Sequence, residues 1–311
     1  MAKKSSYDLV IIGAGPGGLT TALYASRANH SVLLLDRGIY GGNLNNTADI
    51  ANYPGFKTIK GADLAKKMYE SATQFGAEYA YGAVTKVVPA GKVFQVTTDM
   101  DETITAKSVV IATGSTHRNL NVPGEEKYAG RGVSYCAVCD GNFFKDQPLL
   151  VVGGGDSAVE EGAYLANLAS SVNVLVRSSH LRAQSLLVKQ AQKHSNLTFT
   201  YHTNITEIVG DGQKVTGVKV HNNQTGADSQ LTAAGIFIYV GSLPMTEPFT
   251  NLDILDQDGW VQTDTKLATK VPGIFAIGDV RETPLRQITT AVGDGALASQ
   301  SVDQYLGANF D

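Results

Sequence analysis

One structural unit occurs twice in this chain, 140 residues apart, and each copy contains a glycine-rich turn between a strand and a helix. The first copy begins YDLVIIGAGPGG, and the second begins PLLVVGGGDSAV. Strand, glycine turn, helix and second strand in this order predict the βαβ unit that binds a dinucleotide. We therefore expect an α/β fold with two Rossmann-like, three-layer dinucleotide-binding domains.

The first copy has the complete G-x-G-x-x-G pattern and a carboxylate at the end of its second strand. Gly13 permits the sharp turn, Gly15 lets the backbone approach a pyrophosphate, and Gly18 lets the helix pack on the strand. The following strand, SVLLLD, ends at Asp36, which can accept hydrogen bonds from ribose hydroxyl groups. These features predict a dinucleotide site.

The second copy keeps the register but changes the end of its second strand. Two matched units are typical of a flavoprotein that uses a nicotinamide cofactor, although a duplication with one inactive site remains an alternative. Val176 replaces the acid, and Arg177 and Arg182 follow it. Guanidinium groups bind a 2′-phosphate that an acid would repel, so we expect FAD in the first site and NADPH in the second. A solvated loop is the alternative interpretation of the arginines.

A later segment, VPGIFAIGDV, indicates that the first domain is discontinuous. Val271 to Gly278 predicts a turn and a buried strand, and Asp279 at its end could face the ribityl hydroxyls of a flavin. A helix is predicted from Ile288 to Tyr305. The predicted FAD domain then comprises residues 1–117 and 246–311, with an NADPH domain inserted at residues 118–245.

The chain has two cysteines, Cys136 and Cys139, in a C-x-x-C motif. This spacing suits a reversible disulfide, because one thiol can resolve a mixed disulfide formed by the other. Zinc would need two further ligands, and the six histidines show no paired spacing. Zinc binding and inert thiols remain as alternatives, but a redox pair is the prediction.

Charge and hydropathy limit the partners and the compartment. The net charge of −4 argues against a nucleic-acid partner, and no stretch resembles a membrane span. No apolar core of a secretory signal follows Lys3 and Lys4, which are interpreted as a solvated tail, so we expect a cytoplasmic protein. Structural disulfides are rare in the cytoplasm, which favours a catalytic role for the cysteine pair.

Seven motifs occur in the order and spacing of one known family. They are GAGPGG, GGNL, ATG, GRGVSYCAVCDG, GGGDSAVEE, GIFAIGDV and RQITTA. Over its whole length the chain resembles the low-molecular-weight, bacterial-type thioredoxin reductases, which are class II pyridine nucleotide-disulfide oxidoreductases. The resemblance implies a homodimer with FAD and NADPH as cofactors, thioredoxin as substrate partner, and an NADPH domain that rotates relative to the FAD domain.

The resemblance also implies roles for individual residues. Cys139 would face the flavin, Cys136 would attack thioredoxin, and Asp140 would help to move protons, with a simple turn carboxylate as the alternative. Arg131 and Phe143 match positions that dock thioredoxin, although a core role for Phe143 remains open.

The cofactor-binding residues that the motifs imply form two sets. For FAD they are Gly13, Gly15, Pro16, Gly18, Asp36, Arg37, Gly42, Asn43, Leu44, Asn52, Ala112, Thr113, Gly114, Gly278, Asp279, Arg286, Gln287 and Ile288. For NADPH they are Gly153, Gly155, Asp156, Ser157, Ala158, Arg177 and Arg182.

One loop departs from the family pattern, which usually reads H-R-R-D-x-F-R. Here it reads VRSSHLR, so Ser178 replaces the middle arginine and could donate one neutral hydrogen bond to the phosphate. A related flavoenzyme with a ferredoxin donor, a dithiol oxidase and a non-enzymatic redox sensor are the alternative functions. The intact second fingerprint and Arg177 disfavour the first two.

Overall fold

The computed structural model describes residues 5–47 and 49–310, so Lys3, Lys4 and the other residues of 1–4, together with 48 and 311, lie outside it. The chain forms two compact units. The first consists of Met1–Thr116 and Leu243–Asp311 and is called the discontinuous unit below. The second, His117–Ser242, is called the inserted unit.

The elements from the N-terminus to the first crossing between units include nine strands and two α-helices among the described residues. They are β1 (Ser6–Ile12), α1 (Pro16–Arg27), β2 (Val32–Asp36), a 3-10 turn (Gly42–Asn46), β3 (Asp49–Ile50), β4 (Ile59–Lys60), α2 (Gly61–Thr73), β5 (Glu78–Tyr81), β6 (Val84–Ala90), β7 (Val93–Thr98), β8 (Thr103–Ile111) and β9 (Ser115–His117).

The elements of the inserted unit follow. They are β10 (Val133–Ser134), α3 (Ala137–Asp140), a 3-10 turn (Gly141–Phe144), β11 (Pro148–Val152), α4 (Asp156–Ala166), β12 (Ser171–Leu175), α5 (Ser185–Ala191), β13 (Leu197–Thr200), β14 (Thr203–Gly210), β15 (Val215–Asn222), β16 (Asp228–Thr232) and β17 (Gly235–Ile238). The chain then returns through β18 (Ser242–Pro244), a 3-10 turn (Glu247–Leu252), β19 (Ile274–Ala276), a second 3-10 turn (Gly278–Val280) and α6 (Ile288–Phe310).

The main sheet of the discontinuous unit has the order β5-β2-β1-β8-β7-β6, and β19 also pairs with β8. Strands β5, β2, β1, β8 and β19 are parallel, whereas β8, β7 and β6 pair antiparallel. Successive side chains of a strand point to opposite faces, so Leu9 and Ile11 pack under α1 and α6, and Val10 and Ile12 pack in a second core with residues of β6 and β7. Both faces of β1 are therefore buried, which explains its continuous apolar sequence.

The inserted unit follows the same plan. Its parallel sheet has the order β10-β17-β11-β12-β13, and a separate antiparallel sheet contains β14, β15 and β16. Leu149 and Val151 of β11 pack against α4, while Leu150 and Val152 pack against the antiparallel strands. The predicted α/β class with two parallel, Rossmann-like sheets is confirmed.

Helix α6 is longer than predicted, because it continues from Tyr305 to Phe310. Leu306 is buried, and the rings of Tyr305 and Phe310 pack with centroids 6.2 Å apart. These contacts stabilise an additional turn that periodicity alone did not indicate. Within the described residues, no helix combines the length and the apolar character needed to cross a membrane.

Candidate active site

In the first glycine turn, a side chain would clash at Gly13 and at Gly18 but would have room at Gly15. A Cβ atom added to Gly13, whose φ is +109°, would lie 2.2 Å from the carbonyl oxygen of Ala112. A Cβ on Gly18 would lie 2.0 Å from the carbonyl oxygen of Gly13, whereas a Cβ on Gly15 would meet nothing within 4 Å. The outer glycines therefore permit the close packing of the turn, and the middle one leaves open space beside it, while the binding of a pyrophosphate there stays a prediction.

Asp36 organises this turn. Its Oδ2 accepts a hydrogen bond from the Ala14 N–H at 2.6 Å, and its Oδ1 accepts one from the Gly38 N–H at 2.8 Å. Each carboxylate oxygen has a second lone pair, so the geometry still permits ribose hydroxyls to donate to it. The neighbouring Arg37 donates to the Met245 sulfur at 2.9 Å.

Two further segments of the discontinuous unit lie close to the turn. The Gly41 N–H donates to the Ala14 carbonyl at 2.7 Å, and a Cβ on Gly42 would lie 3.3 Å from the Cα of Gly15. The next residue but one, Leu44, is buried in a small cluster that Ile288 packs against. The 3-10 turn that contains Asn43 is thereby placed beside the first glycine turn.

The start of α6 and the ends of two strands complete this side of the site. Asn52 donates to the Gln287 amide oxygen at 3.0 Å. The Thr113 hydroxyl donates to the Met245 carbonyl at 2.6 Å, and the Gly114 carbonyl accepts from the Met245 N–H at 3.0 Å. These bonds fix the loop after β8 at the carboxyl end of the sheet, where open α/β sheets bind their ligands.

The segment after β19 carries a half-buried carboxyl, Asp279. Burial raises the pKa of Asp279, the nearby Arg286 guanidinium opposes this increase in the pKa, and Asp294 adds to it. Asp294 accepts hydrogen bonds from the Gly278 N–H at 3.0 Å and from the Arg281 Nε at 2.8 Å. The Asp279 carboxylate could therefore accept a hydrogen bond from a ligand hydroxyl at the end of β19.

Asp294, Arg281 and Trp260 at this site were not predicted from the sequence. Asp294 and Arg281 form the ion pair that supports the 3-10 turn after β19. The guanidinium of the predicted residue Arg286 stacks 3.8 Å from the centre of the Trp260 ring. Asp294 is the one carboxylate in the small-residue run AVGDGALAS, which is the signal that could have identified it.

The second glycine turn repeats the geometry of the first. Gly153 has a φ of +146°, and a Cβ added to it would lie 2.3 Å from the Tyr239 carbonyl oxygen and 2.8 Å from the Cβ of Ala158. A Cβ on Gly155 would meet nothing within 4 Å. Helix α4 begins after Gly155, as α1 begins after Gly15, and neither glycine can cap its helix with a side chain. Both helix N-termini therefore suit an anionic pyrophosphate.

The loop after β12 is attached to this turn at two points. The Arg182 N–H donates to the Gly154 carbonyl at 2.7 Å. The Asp156 carboxylate accepts from the backbone N–H of Gln184 at 2.7 Å and from its side-chain amide at 2.6 Å. Asp156 therefore positions the loop, and the exposed Ser157 follows it in the first turn of α4.

The residues of the loop from Val176 to Arg182 differ in exposure and in their hydrogen bonds. Arg177 and Arg182 are exposed, whereas Val176 is 1% exposed and packs in the core of the inserted unit. The Ser178 hydroxyl donates to the His180 carbonyl at 2.7 Å. A serine hydroxyl has one proton, so donation from Ser178 to a phosphate requires the hydroxyl to turn away from this carbonyl, and it stays a prediction.

Cys136 and Cys139 form a disulfide, so the zinc and inert-thiol interpretations are not supported. Helix α3 begins directly after Cys136, and the Cys139 N–H points at the Cys136 sulfur at 3.2 Å. Cys136 is half-buried and Cys139 is exposed.

Asp140 is connected to the motif through Ser134, a residue that the sequence did not single out. The buried Ser134 hydroxyl donates to Asp140 Oδ2 at 2.6 Å, and it accepts from the Cys136 N–H at 3.1 Å. Asp140 is therefore more than a solvated turn carboxylate, because a hydrogen-bonded chain connects it to the backbone of a reactive cysteine.

A surface groove with a volume of about 310 Å³ adjoins the motif. Ser134, Asp140, Arg131, Phe143 and Lys214 are among the residues that line it. Phe143 is 77% exposed, so the core interpretation of this side chain is wrong. An exposed aromatic ring beside two cations is suited to contact another macromolecule.

Tyr239 and Glu161 lie on the buried side of the motif and were also not predicted. The Tyr239 hydroxyl oxygen accepts from the Ala137 N–H at 2.9 Å, and burial, Glu161 and Asp140 all raise the pKa of Tyr239. Burial, together with the neighbouring Glu160, raises the pKa of Glu161 from its ordinary value of 4.5 to about 7. A half-buried carboxyl on α4 therefore titrates near neutral pH.

Two dinucleotide sites and a C-x-x-C disulfide define a disulfide oxidoreductase of the flavin- and nicotinamide-dependent class. Comparison with known proteins agrees, because residues 7–295 match the family described as pyridine nucleotide-disulphide oxidoreductase. The chain therefore belongs to that family.

The relatives cover the whole chain. It is 51% identical over 305 residues to the thioredoxin reductase of Listeria monocytogenes, an alignment that spans 98% of this chain and 95% of that protein. It is 49% identical over 306 residues to the thioredoxin reductase of Bacillus subtilis, with 98% and 96% covered. The crystal structure of Lactococcus lactis thioredoxin reductase superimposes with a TM-score of 0.96 at 48% identity, with 97% and 99% covered. The resemblance inferred from the sequence is confirmed.

The glycine turns generate a first prediction, made on the second fingerprint. Gly153→Ala is expected to lower the free energy of unfolding of the inserted unit by roughly 2–4 kcal/mol, since it combines a strained φ with a backbone clash. Gly155→Ala is the matched control: its methyl group meets no protein atom, so stability should hold while NADPH affinity falls at least about tenfold. Thermal denaturation and NADPH titration of both variants test this, and equal stability of the two would contradict it.

Glu161 generates a second prediction, on the pH dependence of stability. Because its folded-state pKa is raised from 4.5 to about 7, the proton it binds stabilises the fold fully below about pH 4.5, and this contribution is lost as the pH rises through 7. The loss is on the order of 3 kcal/mol, at about 1.4 kcal/mol per tenfold difference in proton affinity. Glu161→Gln should therefore unfold at higher denaturant concentration than wild type at pH 8 but not at pH 5. A pH-independent difference between the two proteins would refute the assignment.

Proposed function

We propose that this chain is an NADPH-dependent thioredoxin-disulfide reductase. The discontinuous unit binds FAD, and the inserted unit binds NADPH and carries the redox-active disulfide. The observation that carries the proposal is the Cys136–Cys139 disulfide in the same unit as the second glycine fingerprint. The names of relatives about 50% identical over the full chain support thioredoxin as the substrate.

The residues of the discontinuous unit fit FAD. The open position at Gly15 would accept the pyrophosphate, Asp36 would accept hydrogen bonds from the ribose, and Asp279 would accept them from the ribityl hydroxyls. Arg37, Asn43, Asn52 and the 112–114 loop would complete the binding site. When bound, FAD would supply two-electron chemistry between NADPH and the disulfide.

In the dithiol form, the thiolate of Cys136 attacks a sulfur of the thioredoxin disulfide and forms a mixed disulfide. Cys139 then loses its proton and attacks the Cys136 sulfur, which reforms the internal disulfide and releases thioredoxin with two thiols. The Cys139 N–H at 3.2 Å from the Cys136 sulfur stabilises negative charge on that atom. Asp140, held by Ser134, accepts and returns the protons that the thiols lose and thioredoxin gains.

The groove beside the motif is the docking surface for thioredoxin in this proposal. The groove reaches the motif at Ser134 and Asp140, so a partner disulfide would approach Cys136 over the face that Arg131 and Phe143 present. The exposed Phe143 ring offers an apolar contact, and Arg131 and Lys214 favour an acidic partner surface around it.

The protein acts as a cytoplasmic homodimer in this proposal. Tyr24 on α1 and Leu297 on α6 are exposed in the single chain, and such apolar side chains on two adjacent helices suit an interface between two copies. The molar mass in solution measures this directly. A reducing compartment suits a disulfide that must cycle.

The alternative functions are less favoured. A ferredoxin-fed reductase or an oxygen-using dithiol oxidase has no need of an intact second fingerprint followed by the exposed Arg177 and Arg182. A sensor without enzymatic activity would not need Asp140 joined to Cys136 through Ser134.

The cysteine pair provides the experiment that tests the function. Cys136→Ser and Cys139→Ser should each abolish thioredoxin reduction while leaving the bleaching of FAD absorbance by NADPH intact, because the disulfide acts after the cofactors. The measurement is anaerobic mixing of each variant with NADPH and then with oxidised thioredoxin, followed at the flavin absorbance and by thiol counting.

Ser134→Ala provides a graded comparison, since it retains both sulfurs and removes the bond to Asp140. It should slow thioredoxin turnover without abolishing it. Thioredoxin turnover by either cysteine variant would exclude the pair as the relay, and a bound cofactor other than FAD would exclude the flavin assignment.

The altered loop predicts a moderate preference for NADPH over NADH. Arg177→Ala should lower kcat/KM with NADPH about tenfold and leave kcat/KM with NADH nearly unchanged, because a charge-assisted hydrogen bond contributes roughly 1.5–3 kcal/mol and about 1.4 kcal/mol is a factor of ten. Ser178→Arg should widen the preference by adding a third guanidinium.

Ser178→Ala is the matched control, because it also removes the bond to the His180 carbonyl but adds no charge. The comparison is kcat/KM with each nucleotide in the wild type and the three variants. Equal or better use of NADH by the wild type would show that the phosphate-binding assignment is wrong.

A further inference from the structure

Helix α4 packs beneath the redox motif, and Glu161 lies on the face of the helix that does so. A Cβ added to Gly141, two residues after Cys139, would lie 2.9 Å from the Leu165 side chain and 3.6 Å from that of Tyr164. Glu161 precedes Leu165 by one helical turn, so the two residues share a face. The carboxyl is therefore placed on the side of α4 that supports the cysteines.

The Glu161 carboxyl has an unusual environment. Its Oε2 atom is buried, and no group of the residues that the structure describes hydrogen-bonds it. The charged and titratable groups that act on Glu161 and Tyr239 are Glu160, which is exposed on the same helix, and Asp140 on α3. Ionising a carboxyl that has one buried oxygen without a donor is costly, which is why Glu161 holds its proton up to near neutral pH.

Tyr239 connects this carboxyl to the motif. Its ring packs in the core of the inserted unit, and its hydroxyl oxygen accepts the N–H of Ala137, the first residue of α3. Glu161 acts electrostatically on that hydroxyl. A negative charge on Glu161 therefore raises the negative potential at the N-terminus of α3, where the Cys136 sulfur lies.

We propose that Glu161 is a positioning residue for the Cys136–Cys139 couple: through Tyr239, its charge state controls how readily the disulfide is reduced. Reduction takes up two electrons and two protons, breaks the S–S bond and gives two thiols. When one thiol ionises, its proton goes to solvent, and the new thiolate repels an ionised Glu161. Glu161 takes a proton from solvent in response, so the dithiol form is favoured while Glu161 is neutral and disfavoured once it is charged.

The test is the equilibrium of the disulfide with dithiothreitol, which requires neither NADPH nor thioredoxin. The flavin-loaded protein is equilibrated anaerobically in dithiothreitol buffers at pH 6 and pH 8, thiols are trapped by alkylation, and the reduced fraction is counted by mass. The protein disulfide and dithiothreitol each exchange two protons with two electrons, so these protons cancel in the equilibrium constant. Any remaining pH dependence of the constant comes from the ionisation of individual groups.

Glu161→Gln should match the wild type at pH 6 and be reduced more readily at pH 8, with an equilibrium constant on the order of fivefold higher, because the substitution removes one negative charge that opposes the thiolate. Glu160→Gln is the matched control, because it removes an exposed carboxylate one residue away on the same helix. At pH 8, where Glu161 is ionised in both proteins, this control should equal the wild type.

Tyr239→Phe tests the route, since it keeps the ring and removes the hydroxyl. In a double-mutant cycle with Glu161→Gln, the effect at pH 8 should shrink when Tyr239 is already Phe. Additive effects, or an equal effect of Glu160→Gln, would overturn the proposal.

A measurement on the wild type covers the case in which Glu161→Gln does not fold. Infrared difference spectra of the reduced minus the oxidised protein at pH 7.5 should show a protonated carboxyl band appearing on reduction. Absence of that band would also overturn the proposal. The inference rests on the proposed function only for its physiological meaning, because the redox equilibrium is defined whether or not thioredoxin is the substrate.

Discussion

The fold and the site both depend on a close contact between a glycine turn and the carbonyl group at the end of a neighbouring strand. In the discontinuous unit, Gly13 leaves no room for a Cβ beside the carbonyl of Ala112, and in the inserted unit Gly153 leaves none beside Tyr239. Each contact places a helix N-terminus at the carboxyl end of a parallel sheet, where the amide groups of the helix can bind an anion. In the inserted unit the contact also fixes Tyr239, whose hydroxyl supports Ala137 between the cysteines. The nucleotide turn and the disulfide are therefore positioned by the backbone and the side chain of one residue.

Two acidic side chains are connected to the redox motif, Asp140 through hydrogen bonds and Glu161 through an electrostatic effect on Tyr239. On the groove side, Ser134 connects Asp140 to the Cys136 backbone. On the buried side, Tyr239 connects Glu161 electrostatically to the first turn of α3. Carboxylates near a thiol disfavour the thiolate that exchange chemistry requires, so their ionisation must be controlled. Burial provides this control for Glu161, since it makes the neutral form the stable one up to near pH 7.

Features that depend on backbone conformation and on local spacing could be read from the sequence. The roles of Gly13, Gly15 and Gly18 followed from the spacing of a turn, and the disulfide followed from the spacing of two cysteines. Ser134, Tyr239 and Asp294 were not predicted, because each acts through a partner that the fold brings together from another element or turn. The extra turn of α6 was missed for the same reason, since contacts of Tyr305 and Phe310 stabilise it. The bond from the Ser178 hydroxyl to the His180 carbonyl was also not predicted, because it depends on the conformation of the loop.

The two copies of the nucleotide-binding unit differ at the end of their second strand, where Asp36 corresponds to Val176, and the surrounding contacts differ as well. In the first copy, the Asp36 carboxylate holds the Ala14 and Gly38 amides and so fixes its turn directly. In the second, Val176 packs in the core, and a Cβ on Gly154 would lie 3.1 Å from its side chain. The second copy has no counterpart of the Asp36 hydrogen bonds. Its turn is fixed by the bond from the Arg182 N–H to the Gly154 carbonyl and by the hydrogen bonds between Asp156 and Gln184. The backbone N–H of Arg182 holds the loop, so its guanidinium is not needed for that bond. Val176, which corresponds to Asp36, adds to the core and leaves no carboxylate to repel a 2′-phosphate. An acid restored at position 176 would therefore have to be buried in an apolar core before it could reach a ribose, which opposes a simple reversal of cofactor preference.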